Sequence, residues 1–283
     1  MADARERWDL VLTPTKRWFD VDVAGVWRYR DLVLLLFKRD FVAMYKQTVL
    51  GPLWYMIQPI LTTFAFTLIF SKIARIPTGQ IPPVLFYMSG IVMWHFFANC
   101  MGKTSDTFVS NAGIFSKVYF PRLVVPASVV LSNALTFAIQ FALLLAFVGY
   151  YWLRGAGVSM RLEIVLVAPL LLYVGLVGLG VGIIASSLTT KYRDLGYVIG
   201  FATQLWMYAS PVIYPLSQIP EQWRWVFMFN PMTAALESFR WLLFGEATLS
   251  SALVLANAVV AAMLVLGGVL LFSRAEKTSM DTV

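Results

Sequence analysis

The stretch Leu123–Leu153, LVVPASVVLSNALTFAIQFALLLAFVGYYWL, runs for 31 residues without one charged side chain. An α-helix needs roughly 20 mostly apolar residues to cross the hydrocarbon core of a bilayer. Five further segments qualify, at about 52–71, 84–102, 163–188, 195–215 and 252–272. Inside a bilayer each backbone polar group must be satisfied within its own segment, which leaves helices or closed barrels. Segments of this length and continuity predict helices. The expected fold is therefore an all-α polytopic membrane protein with six transmembrane helices. The composition agrees: 59% of residues are hydrophobic and 13% charged, against about a quarter charged in soluble domains.

Six crossings place both termini on one side, and the cations say which. Of 22 lysines and arginines, sixteen fall on the side of the termini. Six, Lys72, Arg75, Arg154, Arg161, Arg224 and Arg240, fall on the other. The positive-inside bias puts the termini in the cytoplasm. It also accounts for the net charge of +7 without a nucleic-acid partner. Residues 1–25 are polar, interrupted by Pro14, and read as a cytoplasmic lead-in. Residues 273–283 read as a cytoplasmic tail.

Chemistry-bearing groups are sparse. Away from their ends the spans hold no Asp, Glu, Lys or Arg, whereas ion paths and proton relays ordinarily need one. Cys100 is the one cysteine, which excludes an internal disulfide and a cysteine-built metal site. His95, also single, reads as a hydrogen-bonded packing residue. A membrane-embedded transferase would gather carboxylates or a histidine at the membrane edge. Glu163, Glu221, Glu237 and Glu246 are instead scattered on the outer side. No catalytic residue, metal ligand or cofactor ligand is assigned.

The fragment MGKTS, Met101–Ser105, ends like a phosphate-binding loop. That loop needs a glycine five residues before its Gly-Lys, and position 97 is Phe97. If ATP matters here, another chain brings it.

Two stretches are neither span nor plain connector. Residues 26–51 carry Tyr29, Leu32, Val33, Leu36, Phe37, Phe41, Met44 and Tyr45 at helical spacing. Arg28, Arg30, Lys38, Arg39 and Lys46 lie among them. An amphipathic helix of this kind lies on a membrane face; it serves as a headgroup anchor or as a shelf for a cytoplasmic partner. The second stretch is 213–251, broken by Pro215, Pro220 and Pro231. NPMTAALESFRWLLFG predicts a helix capped by Asn230, with Pro231 first and Gly245 just past its end. Its aromatic residues suit either an interfacial belt or short re-entrant helices that close an outer mouth. In the fourth span Gly178, Gly182 and Ser186 recur every four residues, a face for close helix packing.

Four motifs together carry a family resemblance. KRDFVAMYKQTVLGPLWYMIQP resembles an interface helix entering a first span, and NAGIFSKVYFPRLVVP a first cytoplasmic loop. TKYRDLG resembles a second such loop, and NPMTAALESFR an outer helix before the last span. In order and with this topology, the set is similar to the membrane subunit of ABC-2 polysaccharide exporters for O-antigen, capsule and teichoic acid. Met44 departs from the pattern, standing where a basic residue is expected.

The resemblance implies a bacterial inner-membrane permease working as two copies with two cytoplasmic ATPase subunits, which bind ATP and magnesium. It implies a lipid-linked polysaccharide as substrate. It further implies that loop 109–122 forms a coupling helix seated on the ATPase, with Asn111, Ile114, Phe115, Lys117, Phe120, Pro121 and Arg122 as contacts. Lys191, Arg193 and Asp194 form a second contact, although cations there also satisfy topology alone. Outer gate residues would include Asn230, Pro231, Glu237 and Arg240.

A sugar polymer has hydroxyls and apolar CH faces, so an aromatic conduit lets it slide where charge pairs would trap it. Trp54, Tyr55, Trp94, Phe97, Trp206 and Tyr208 are the candidate lining. They lie on the first, second and fifth spans, which resemble the channel-lining helices of the family. Any one ring also suits a core or a lipid-facing position, so the expectation attaches to the group. Gln58, Thr62, Asn99 and Gln204 are polar positions expected to face protein or water. Six helices leave little room for a polymer-wide lumen, so two copies are expected to build the path between them. An ABC-2 permease for a drug or small lipid shares this topology and is the alternative.

Overall fold

The computed structural model describes residues 23–46, 50–115, 117–118, 120–158, 161–189, 192, 194–246 and 250–280, excepting the side chains of 23, 24, 44, 45, 112 and 272–280. Most of the expected lead-in, together with Lys191 and Arg193, lies outside the described residues, and so does the side chain of Met44.

Twelve helices follow in order among the described residues, with no strand. A short α1 (Val23–Arg28) and α2 (Arg30–Tyr45) form the predicted surface helix. The first span begins with a tight turn at Gly51–Leu53, continues as α3 (Trp54–Phe66) and ends in a π-helical segment, Thr67–Ile73. Next come α4 (Pro83–Ser105), α5 (Thr107–Ser110), α6 (Ala112–Phe115) and α7 (Val124–Leu153). A 3-10 turn at Leu162–Leu166 leads into α8 (Val167–Thr189). Then follow α9 (Leu195–Tyr208), α10 (Glu221–Met228), α11 (Pro231–Phe244) and α12 (Ser251–Met280).

Among the described residues five helices are long and apolar enough to cross a membrane: Gly51–Ile73, Pro83–Ser105, Val124–Leu153, Leu162–Thr189 and Ser251–Leu271. The fifth predicted segment, 195–215, behaves differently. Its helix α9 has 14 residues, about 21 Å of rise, and gives way at Ala209 to turns. Pro211 and Pro215 stop it, since proline lacks an N–H and crowds the preceding turn. Pro126, by contrast, lies in the first turn of α7, where its missing N–H breaks no helical bond.

Helix α4 is the hub. Leu85, Val92, Phe97 and Cys100 are fully enclosed, and α4 packs on α3, α7, α8, α9 and α11. The small-residue face of α8 does what the spacing predicts. A Cβ on Gly182 would come within 2.7 Å of the Met101 carbonyl oxygen on α4. The opposite face of α8 meets α12 as closely, for a Cβ on Gly180 would lie 2.9 Å from the Leu264 backbone. In lipid, association of helices rests on this kind of packing. The first span is the least covered of the five: only 11% of its most apolar stretch is buried within the chain.

Candidate coupling and translocation site

The end of the bundle bearing Lys103 and Arg122 is built around α2 and the turn between α4 and α7. Leu36 of α2 is buried with Phe120, Val124 and Val125, and Tyr29, Leu32, Val33, Ile114 and Phe115 pack around them. Asp40 accepts from Ser132 Oγ of α7 at 3.5 Å and pairs with Arg39 at 2.8 Å. Arg28, Arg30, Lys38, Arg39 and Lys46 are all exposed. The amphipathic pattern is thus real, with apolar residues on α7 and cations outward. Leu34 and Leu35 are exposed as well, so α2 has a second apolar strip.

Within the turn, α5 and α6 are single helical turns hinged at Asn111. Its Nδ2 donates to the Thr107 carbonyl at 3.0 Å, and its own carbonyl accepts from Phe115 N–H at 3.0 Å. The Arg122 guanidinium lies over two adjoining rings, 5.5 Å from the Phe108 centroid and 5.4 Å from that of Phe115. Phe120 adds a third ring, 5.6 Å from Phe115. The expected contact set therefore divides. Phe120 is buried; Asn111, Ile114, Phe115, Pro121 and Arg122 are half-buried; Lys117 is exposed. Arg122 is first a clamp on the aromatic turn. Sequence reasoning missed Val109 and Val118, which stand 50% and 57% exposed; their places beside Ser110 and Lys117 were the available signal. Thr189 Oγ1 donates to the Ser105 carbonyl at 3.0 Å, joining the end of α8 to this turn. Beyond it Tyr192 and Asp194 are exposed.

The predicted lining residues also divide. Trp94 and Phe97 are core residues, 3% and 0% exposed. With Trp206 they form a cluster, ring centroids 5.2 Å (Trp94–Phe97), 5.1 Å (Phe97–Trp206) and 6.5 Å (Trp94–Trp206) apart. This cluster fastens α9 to α4. As lining, Trp94 and Phe97 are corrected: their rings are consumed by helix packing and face no surface of the chain. Trp54 and Tyr208 are exposed, and Tyr55 is half-buried. Gln58 shares the Trp54 face of α3 with Leu61, and Gln204 shares the Tyr208 face of α9 with Tyr197 and Phe201. All of these are exposed. The helical period, applied to α9, already pointed to Tyr197 and Phe201. Asn99 is exposed and Thr62, which donates to the Gln58 carbonyl at 2.9 Å, is half-buried.

At the opposite end α10 and α11 form a pair of short helices, with α11 packed against α4, α8 and α12. Asn230 caps α11 by accepting from Met232 N–H at 3.0 Å, Pro231 stands at the first position, and Gly245 (φ 79°) ends the helix. Those bounds match the sequence reading. Tyr173, six residues into α8, donates to the Pro231 carbonyl at 3.1 Å. The α10–α11 corner therefore rests against the first turns of α8. There Asn230 accepts from Trp206 Nε1 at 3.1 Å and donates to the Ala209 carbonyl at 3.0 Å. The corner thus closes on the broken end of α9.

Arg240 locks the pair in place. It is 2% exposed and donates to the carbonyls of Pro211 at 2.7 Å and Val212 at 3.0 Å. Its guanidinium lies 3.7 Å from the Phe86 centroid and 3.4 Å from Glu237. Gly90 makes room, since a Cβ there would lie 2.9 Å from the Val212 carbonyl oxygen. Asn257 of α12, missed from sequence, completes the lock. It donates to the Met228 carbonyl at 2.6 Å and accepts from Ala234 N–H at 3.2 Å. A buried amide in an otherwise apolar last span was the signal for it.

Long apolar helices left uncovered by the chain define a multi-pass membrane protein. Residues 31–244 match the family model described as ABC-2 type transporter, and the chain belongs to that family. It is 31% identical over 213 residues to the O-antigen export system permease protein RfbA of Klebsiella pneumoniae, covering 74% of this chain and 79% of that protein. The protein of the same name from Myxococcus xanthus is 28% identical over 221 residues, 77% of this chain and 82% of that protein. The polysialic acid transport protein KpsM of Escherichia coli is 22% identical over 208 residues, 72% and 78%.

Proposed function

We propose that this chain is the channel-forming subunit of an ATP-driven exporter that carries a lipid-linked, O-antigen-like polysaccharide out of the cytoplasm. Two copies act with two separate ATPase subunits, which bind ATP and magnesium, in a bacterial inner membrane. Both termini and the basic turn face the cytoplasm, and α9 with residues 209–214 makes the sixth crossing. The observation that carries the reading is the pair of uncovered stripes. Trp54, Gln58 and Leu61 on α3, and Tyr197, Phe201, Gln204 and Tyr208 on α9, alternate apolar surface with amides. Rings stack on CH faces of sugars and amides exchange bonds with hydroxyls, so a chain is held without being fixed. Relatives named for O-antigen and capsule export support the choice of a polysaccharide over a drug or small lipid.

The headgroup of the substrate is guided by the cations of α2. ATP-driven closure in the partner then pushes the turn clamped by Arg122, and α2 and α7 move with it because they share one apolar cluster. The polymer passes between the two copies and leaves past the α10–α11 corner. The test is reconstitution of this chain with its ATPase in vesicles. ATP-dependent delivery of lipid-linked glycan across the bilayer is expected, with none from the permease alone. Transport without the second protein would overturn the proposal.

A further inference from the structure

Four far-end connections meet around one groove. The loop Thr78–Ile81 forms one bank and Pro215 with Ser217 the other, over a cavity of about 370 Å³ whose floor holds Glu237 and Arg240. A smaller hollow of about 160 Å³ continues past Glu246 to Ala156–Val158 and Phe244. The larger cavity falls within the roughly 300–1,000 Å³ of small-molecule sites.

The lining is unevenly charged. Glu246 Oε2 accepts from Gln80 N–H at 3.2 Å, and Glu246 has no ion pair among the described residues. Glu237 is neutralised by Arg240 at 3.4 Å. Arg240 keeps one donor, Nε, enclosed and without a partner among the described residues. Ile81 and Pro215 supply apolar surface, and Ser217 a hydroxyl. Gly79 holds φ +69°, and a Cβ there would lie 3.4 Å from Glu246 Oε2; the glycine keeps the carboxylate approachable.

We propose that this groove binds one or two residues of a neutral saccharide, independently of the path between copies. A ligand rich in hydroxyl donors satisfies Glu246, its CH face rests on Ile81 and Pro215, and an anionic sugar is repelled by Glu246. Resting on the export reading above, the groove holds the emerging polymer against return.

The test uses the full chain in lipid nanodiscs and saturation-transfer NMR with a panel of neutral hexose and deoxyhexose tetrasaccharides, and with tri-galacturonate as the acidic probe. Transfer to at least one neutral probe and none to the acidic one is expected. Glu246→Ala should weaken binding about tenfold, the scale of a lost charge-assisted hydrogen bond. Glu246→Gln, which keeps an acceptor for Gln80 N–H, should narrow the discrimination against tri-galacturonate. Ser217→Ala should weaken binding of the neutral probe, and Leu172→Ala, at an exposed position outside the lining, should leave it unchanged. No transfer to any neutral probe, equal binding by Glu246→Ala, or saturable calcium binding that Glu246→Ala abolishes with no sugar signal would each overturn the proposal. Export assayed in cells separates the two readings. If wild type exports while the groove binds nothing, only the groove falls; if wild type exports no glycan, the export reading falls.

Discussion

Arg240 shows how much one side chain can hold at a membrane edge. Desolvating a guanidinium is costly, and here two carbonyls, a carboxylate and a ring face offset that cost. Removing one partner of a buried pair costs more than removing both, because the survivor stays charged and enclosed. Arg240→Met should therefore lower stability by about 3–5 kcal/mol, read as an early thermal transition in detergent. Arg240→Met with Glu237→Gln should recover part of the loss. Recovery stays incomplete, since the Pro211 and Val212 carbonyls remain without their donor. A single variant melting like wild type would mean that Arg240 does not fasten the α10–α11 pair.

At the scale of elements, the turn between α4 and α7 separates two jobs that the sequence merges. Arg122, Phe115 and Phe120 shape the turn from within, while Val109, Lys117 and Val118 form its outer face. Arg122→Ala removes two cation–ring contacts, each worth about 0.5–1 kcal/mol when exposed and more when desolvated. It should uncouple ATP hydrolysis from export while the ATPase still co-purifies. Val109→Asp with Val118→Asp should act the other way, with pull-down of the ATPase lost and thermal stability unchanged. Loss of co-purification in Arg122→Ala alone would reverse these assignments. Much of this was legible beforehand, since the Phe, Arg and Pro residues fixed the turn as aromatic and basic. Which of them face inward was not legible, because α2 arrives from more than 70 residues earlier in the chain to cover one side.

The whole molecule leaves α3 and α9 poorly covered while most of α4 is buried. A single chain therefore has its apolar and aromatic stripes directed outward, toward lipid or toward another copy. Native mass measurement in lipid nanodiscs with the ATPase should show two copies of each subunit. Monomeric permease with full transport would end the shared-path reading.

Hydropathy alone placed the five long helices to within a few residues, because a continuous run of roughly 20 apolar residues satisfies its own backbone in a bilayer as a helix. It overextended the 195–215 segment, whose helix stops at Tyr208. Local residues likewise set the ends of α11: Asn230, Pro231 and Gly245 act within a turn of themselves. Tertiary structure alone decided that Trp94 and Phe97 belong to the core. It also satisfied the broken end of α9 with Asn230 and enclosed Arg240 beneath Phe86. Those outcomes depend on which helices meet at which depth. A periodic pattern fixes the faces of a helix, but the partner on each face is fixed only when small residues on α8 draw α4 and α12 into contact.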